Sequence, residues 1–215
     1  FDGEEGKSIG LPYFKERGFT VETIKKWGLG YSPESWEALA GHSKVKGFHA
    51  EVMVQAGLLK LRDNGTHYDL FRHRVMFSIY SVTGKVIAFA GRKMSSTDPS
   101  PKYVNSPETE LYKKSDVLFG LFQAKNAIKK ADKVYMTEGY TDVITLSQAG
   151  IENVVASSGT ALTPGQIKLL KRFTDNVTVV YDGDAAGIKA SIRGIDLLLQ
   201  DGLNVRVVSL PEGQD

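Results

Sequence analysis

The chain has 215 residues, 41% hydrophobic and 24% charged, with a formal charge of +2, enough to bury one good-sized core or two small ones as a soluble globular protein does. No run approaches about 18 consecutive apolar residues, and the opening FDGEEGKSIG has no basic segment leading into an apolar one. A membrane span and a signal peptide are therefore not visible, and a cytoplasmic location is the default expectation. Cysteine is absent, which excludes disulfides and thiolate chemistry and leaves oxygen or histidine to hold any metal.

In chain order, LPYFKERGF and TVETIKKWGLGYS read as a short helical pair closed by Gly28 and Gly30, and ESWEALAGHS and AEVMVQAGLL as further helices. Trp27 and Trp36 are read as core or helix-packing residues rather than base stackers. YDLFRHRVMFSIYSVTGKVIAFAGRKM then alternates with period two, and SVTGK between its apolar runs marks a hairpin. On such a strand Arg72 and Arg74 share a face and His73 takes the other. SSTDPSPKYVNSPETE has no periodicity and reads as a long functional loop.

From about residue 120 the pattern becomes regular. LFQAKNAIKKA, YTDVITLSQAG, TPGQIKLLKRF and AAGIKASIRGIDLLLQDG read as helices, and KVYMTEG, NVVASSG, NVTVVYDGD and NVRVVSLPEGQD as strands. Such alternation with short joins implies βαβ units and a largely parallel sheet covered on both faces. The chain begins without Met and stops at LPEGQD with no closing element, so it is expected to be a piece of something longer. Charge divides along the chain as well: residues 1–130 carry 20 Lys/Arg against 14 Asp/Glu, and residues 131–215 carry 7 against 11. A basic half suits a polyanion and an acidic half suits cations.

Open parallel sheets bind ligands outside the carboxyl ends of their strands. Glu138 ends the first strand of the regular region, Asp182 and Asp184 follow the third, and Asp215 follows the fourth. Asp142 is four residues beyond Glu138, one helical turn on, so the two can face one side. Any one of these residues could be a helix cap. Five carboxylates on one rim need a counterion, and an all-oxygen set favours Mg²⁺ or Mn²⁺ and phosphoryl-transfer chemistry. His42, His49, His67 and His73 show no metal-ligand spacing. GLGYSPESW lacks the strand and spacing of a phosphate-binding loop.

TEGYTDVI followed by VVYDGDAAG resembles the Toprim signature, a Glu motif and an Asp-x-Asp motif shared by topoisomerases, primases, some nucleases and recombination mediators. FRHRVMFSIYSVTGKVIAFAGRKM, PKYVNSPETELYKKSDVLFGL, SSGTAL and LPEGQD narrow this, because they resemble the RNA polymerase core of bacterial DnaG-type replicative primases from about Glu5 onward. The resemblance implies an α/β architecture. A Toprim domain with a mainly parallel sheet flanked by helices would span 120–215, truncated at its C-terminal end, behind a mixed α+β subdomain over 1–119.

It also implies a DNA-dependent RNA polymerase making short RNA primers on single-stranded DNA. Glu138, Asp182 and Asp184 would be catalytic, and with Asp142 and Asp215 would hold Mg²⁺ or Mn²⁺; zinc is not expected in this part. Asp215 matches the first acidic residue of the family's final Asp-Pro-Asp motif. Arg17, Arg72, Arg74, Arg92, Lys102, Tyr103, Asn105 and Lys114 match positions that handle nucleotide triphosphate and template, with Lys113 the weaker match beside Lys114. Basic residues interleaved with aromatics suit a single strand on physical grounds too. The implied partners are single-stranded DNA, an RNA/DNA hybrid and ribonucleoside triphosphates. For a full-length parent they include the replicative helicase and single-strand-binding protein, in the bacterial cytoplasm. Two rivals remain open: a Toprim nuclease or topoisomerase, the latter needing a nucleophilic tyrosine not evident here, and a non-catalytic Toprim DNA-binding module.

Overall fold

The computed structural model describes residues 1, 3–95, 97–157, 161–181 and 185–209. The chain divides into two units, residues 1–79 with 86–112 and residues 80–85 with 113–215.

In the first unit a π-helical turn, Gly6–Gly10, runs into α1 (Leu11–Glu16), then α2 (Val21–Lys26), β1 (Gly30–Ser32), α3 (Ala38–Val45), α4 (Ala50–Gln55), β2 (Leu59–Leu61), β3 (His67–Asp69), β4 (Arg74–Tyr80), β5 (Val86–Lys93) and β6 (Tyr103–Asn105). Thr20 starts α2 by accepting the Thr23 N–H on its hydroxyl oxygen at 3.1 Å. The helix closes when the Leu29 N–H donates to the Ile24 carbonyl at 3.0 Å, with Gly28 at a φ of +58°. That closure leaves nothing for Gly30 to end; it opens β1 opposite Met76, a correction to its reading as a helix stop. The sheet order is β1-β4-β5-β6, with β2 and β3 forming a separate antiparallel pair. β6 lies inside the stretch expected to be loop: Tyr103 pairs with Arg92 and Asn105 with Ala90. Phe14, Ile24, Trp27, Val75 and Phe77 are buried together as this unit's core residues, Phe14 meeting Phe77 edge-on at 6.0 Å.

Trp36 is a second correction, since 53% of it is exposed. Its backbone is tied to β3, where the Asp69 N–H donates to its carbonyl at 2.8 Å, while its ring lies outside against Tyr68 and Arg72. Asp69 itself is buried and joins β3 to α3, accepting the N–H groups of Leu39 and Ala40 at 2.7 and 3.0 Å. Burial nevertheless raises its carboxyl above the ordinary 3.8, those two hydrogen bonds opposing the rise.

The second unit contains α5 (Leu121–Ala131), β7 (Val134–Thr137), α6 (Tyr140–Gln148), β8 (Val154–Ala156), α7 (Pro164–Lys171), β9 (Asn176–Tyr181), α8 (Ala185–Gln200) and β10 (Asn204–Ser209). Its four strands are in the order β10-β9-β7-β8 with every pair parallel, the helix-flanked parallel sheet that the alternation predicts and the resemblance implies. Alternate strand residues Val134, Met136, Val177 and Val179 share a core with Ile128 of α5, Ile167 and Leu170 of α7 and Leu198 of α8. Helix α6 separately buries Tyr140, Val143 and Ile144, the Tyr140 ring meeting Phe119 at 4.8 Å. The hairpin turn after β4 belongs to this unit. Tyr80 stacks on Phe122 at 5.8 Å, and Lys125 donates to the Val82 carbonyl at 2.9 Å. Gly84 holds a φ of +90°, and a Cβ there would meet the Phe122 ring at 2.5 Å.

Candidate functional site

Strand order decides where a ligand can sit on the parallel sheet. β7 leads through α6 to β8 on one side, and the chain then crosses to β9 on the other, so β7 and β9 flank a topological switch point. Val134 lies opposite Val177 and Met136 opposite Val179. Carried two residues further, that register puts Glu138 level with Tyr181, the last residue of β9, on strands about 4.8 Å apart. Glu138 is exposed just beyond the end of β7.

Gly139 follows in extended backbone and begins α6; its N–H donates to Asp142 Oδ2 at 2.9 Å, and the Thr141 hydroxyl donates to Oδ1 at 3.3 Å. Glu138 precedes the helix rather than belonging to it. The expectation that it and Asp142 are stacked one helical turn apart is therefore corrected: Asp142 turns back to cap the strand-to-helix join. Asp182, Asp184 and Asp215 lie outside the described residues. Among the described residues no three His, Cys, Asp or Glu side chains gather as a metal site. A cavity of about 560 Å³ lined by Asp132, Lys133, Asn176, Thr178, Asn204 and Arg206 opens at the amino ends of these strands, the edge away from Glu138.

The basic residues of the first unit sort by what their donors already hold. Arg74 is buried, with Nη1 donating to the carbonyls of Gly91, Pro101 and Lys102 at 3.2, 3.0 and 3.4 Å and Nη2 to the Ser100 hydroxyl at 2.7 Å. Burial lowers its pKa, Asp98 opposing that shift. Lys93 helps from beneath, donating to the carbonyls of Asp98 and Ser100. Asp98 is held below its ordinary 3.8 mainly by accepting the Ser100 N–H and hydroxyl.

Arg72 and Arg74 do not share a strand face, as period-two spacing suggested. Arg72 precedes β4, and His73 between them takes a φ of +49°, which breaks the alternation. The Arg72 guanidinium lies 3.5 Å from the Trp36 ring centre and donates to the Asp69 carbonyl at 2.8 Å. The His73 Nδ1 sits 3.1 Å from the Tyr31 hydroxyl, whose pKa is pushed up to about 12 by burial and the nearby Glu5 charge.

Arg92, on β5, donates through Nη1 to the Tyr13 hydroxyl and lies 6.0 Å from the ring centre of its cross-strand neighbour Tyr103. Arg17 lies over the Tyr13 ring at 4.9 Å. Lys102 is exposed and Asn105 half-buried. In the second unit Lys113 is exposed, and Lys114 is half-buried at the start of a 3₁₀ turn, its carbonyl accepting from Gln166 at 3.1 Å. Sequence reasoning missed Tyr13 and Ser100. Tyr13 and Arg17, four apart on a helical segment, carried a readable signal; Ser100 carried none.

A model of the DNA primase catalytic core, N-terminal domain, matches residues 2–125, more than half the chain. The chain belongs to the DNA primase catalytic core family. A Toprim-like model matches residues 135–215. The DNA primase of Clostridium acetobutylicum is 43% identical over 216 aligned residues, covering 100% of this chain and 35% of that protein. The RNA polymerase domain of Mycobacterium tuberculosis primase DnaG superposes with a TM-score of 0.90 at 35% identity, over 100% of this chain and 71% of that one. A DnaG primase catalytic domain bound to single-stranded DNA superposes with a TM-score of 0.83 at 38% identity, over 95% of this chain and 66% of that one. The chain thus spans about a third of the length of the curated relative it matches.

Proposed function

We propose that this chain is the polymerising core of a DNA-dependent RNA polymerase that makes short RNA primers on single-stranded DNA for replication. The observation that carries this is the switch point: Glu138 stands at the carboxyl end of β7, level with the end of β9, whose next residues in sequence are Asp182, Gly183 and Asp184. Membership of the primase core family and the single-stranded DNA bound by a relative of the same fold support the reading.

Glu138, Asp182 and Asp184, with Asp142 and Asp215 in support, would hold Mg²⁺ or Mn²⁺; a carboxylate-only donor set in a chain without cysteine fits a hard cation. Once bound, such an ion supplies positive charge to the triphosphate and eases deprotonation of the attacking hydroxyl. The chain's own part is to hold and orient. Arg17, Arg92, Lys102 and Lys114 engage phosphates, Tyr103 and Asn105 meet bases and sugars, and Arg72 and Arg74 support the first unit's share of these contacts. The 3′-hydroxyl of one nucleotide attacks the α-phosphate of the next, its proton leaving toward Glu138, and pyrophosphate departs. The partners are template DNA, an RNA/DNA hybrid and ribonucleoside triphosphates, with a replicative helicase and single-strand-binding protein in a longer protein at a bacterial replication fork in the cytoplasm.

Primer synthesis on single-stranded template with ribonucleotides and Mg²⁺ or Mn²⁺ tests the reading. Asp182→Ala and Glu138→Gln each lower the rate by at least about 100-fold, with thermal melting unchanged. Unaltered synthesis by Asp182→Ala, or strand scission in place of polymerisation, would overturn it.

A further inference from the structure

Two cations of the first unit meet on a single ring. Tyr13, half-buried on α1, has the Arg17 guanidinium over its ring at 4.9 Å and that of Arg92 at 5.7 Å, and its hydroxyl accepts from Arg92 Nη1. The ring is itself fixed, packed edge-on against Phe14 at 5.5 Å, and Phe14 is fully buried. Arg92 is fixed from the other side by its place on β5 opposite Tyr103.

Two guanidinium groups that share one ring repel one another in the absence of an anion. The ring attracts Arg17, and the phenol oxygen accepts a hydrogen bond from Arg92 without adding negative charge. Tyr13 therefore draws the arginines together and leaves their positive charge uncompensated. A carboxylate in its place would neutralise one of them.

The donors that remain show what the arrangement is for. Arg92 Nη1 is engaged by Tyr13 and by the Lys93 carbonyl at 3.5 Å. Among the described residues, Arg92 Nη2 and Nε and the whole Arg17 guanidinium have no protein acceptor. Arg74 is the contrast, with both terminal nitrogens held by the protein. Two guanidinium groups gathered on one ring, with open donor edges, suit a phosphate or polyphosphate, whose oxygens accept in pairs.

We infer that Tyr13 is a positioning residue: its ring and hydroxyl hold Arg17 and Arg92 together as a phosphate clamp, without touching the nucleotide itself. This rests on the proposed primer synthesis for the identity of the phosphate, but not for the geometry of the clamp.

Two measurements test it, one of them independent of catalysis. In primer synthesis, Tyr13→Phe keeps the ring and removes the acceptor; the KM for ribonucleotide rises about three- to tenfold, the worth of one net hydrogen bond, while kcat changes less than about twofold. Tyr13→Leu, which removes the ring too, raises it further. In an Arg92→Met background, Tyr13→Phe has almost no additional effect, because the bond it removes is already gone. A purely structural role would move the melting temperature and leave no such coupling. Binding of inorganic tripolyphosphate, followed by calorimetry, weakens by the same factor with the same coupling. A chain that makes no primers but shows this binding pattern loses the proposed function and keeps the clamp. Wild-type KM and tripolyphosphate affinity in Tyr13→Phe, an effect undiminished by Arg92→Met, or no tripolyphosphate binding by the unaltered chain would overturn the inference.

Discussion

Single side chains in this chain act less by net charge than by what their polar atoms are already bonded to. Arg74 was expected on a nucleic-acid surface, yet its donors hold the carbonyls of Gly91, Pro101 and Lys102 and the Ser100 hydroxyl, so it organises the segment that carries Lys102. Replacing it by Met leaves buried carbonyls without a donor and is expected to cost about 2–4 kcal/mol in urea denaturation, with faster proteolysis in the 94–102 segment. The salt slope of DNA binding separates this from a direct contact. In a Lys102→Gln background it is unchanged by Arg74→Met, and falls by about one more if Arg74 is itself a phosphate contact. Asp69 gives a pH signature. Its folded-state pKa is raised by burial, so its stabilising contribution is fully present below the ordinary 3.8 and is lost as pH rises through the folded value. The stability difference between the unaltered chain and Asp69→Asn therefore shrinks as pH rises from about 3 through that value, as urea titrations across the range would show. None of this was legible from spacing: His73 at a φ of +49° breaks the strand that would have paired Arg72 with Arg74, and Arg92 reaches Tyr13 across 79 residues of sequence.

Elements were easier to read than residues because their signals are local. Thr163, Pro164 and Gln166 announce α7 before any tertiary contact is known, and the structure shows the reciprocal cap, the Gln166 N–H on the Thr163 hydroxyl and the Thr163 N–H on Gln166 Oε1, both at 3.1 Å. The same Gln166, fully buried, also donates to the carbonyls of Lys114 and Val117 at 3.1 and 2.9 Å. Helix α7 thereby fixes the segment that presents Lys114. Gly165 lets the two approach, since a Cβ there would stand 2.6 Å from the Ser115 carbonyl oxygen and closer still to Asp116. Gly165→Ala should destabilise by about 1–3 kcal/mol in thermal or urea unfolding, an overpacking cost with little room to relax. Short strands were where the reading failed. β1 and β6 have three residues each, too few for a period to show, and each is made by pairing with a longer strand, β4 for β1 and β5 for β6.

For the whole molecule the charge pattern changes meaning once the units are known. Divided after residue 130, the sequence looks like a basic half and an acidic half. Divided as the structure does, the first unit has 14 Lys/Arg and 13 Asp/Glu and the second 13 and 12, so 14 − 13 and 13 − 12 leave each at +1. Lys85, Lys113, Lys114, Lys125, Lys129 and Lys130 all belong to the unit that contains Glu138. Affinity for a polyanion must then come from placed side chains rather than from a lobe's net charge. Lys129 and Lys130 close α5 beside the amino edge of β7, away from Glu138, so replacing both by Gln should leave the affinity and salt slope of single-stranded DNA binding unchanged, as fluorescence anisotropy would read. What the sequence could reveal at this scale was the βα alternation and the strand end that Glu138 follows. The assignment of residues 80–85 to the second unit could not be read, because it depends on Phe122 and Lys125 meeting a turn made much earlier in the chain. That turn has a consequence for biosynthesis. A ribosome releases it before α5 exists, so the first unit emerges carrying a loop whose packing partner has yet to be translated. No single proteolytic nick can part the two units cleanly, since the polypeptide passes from one to the other three times.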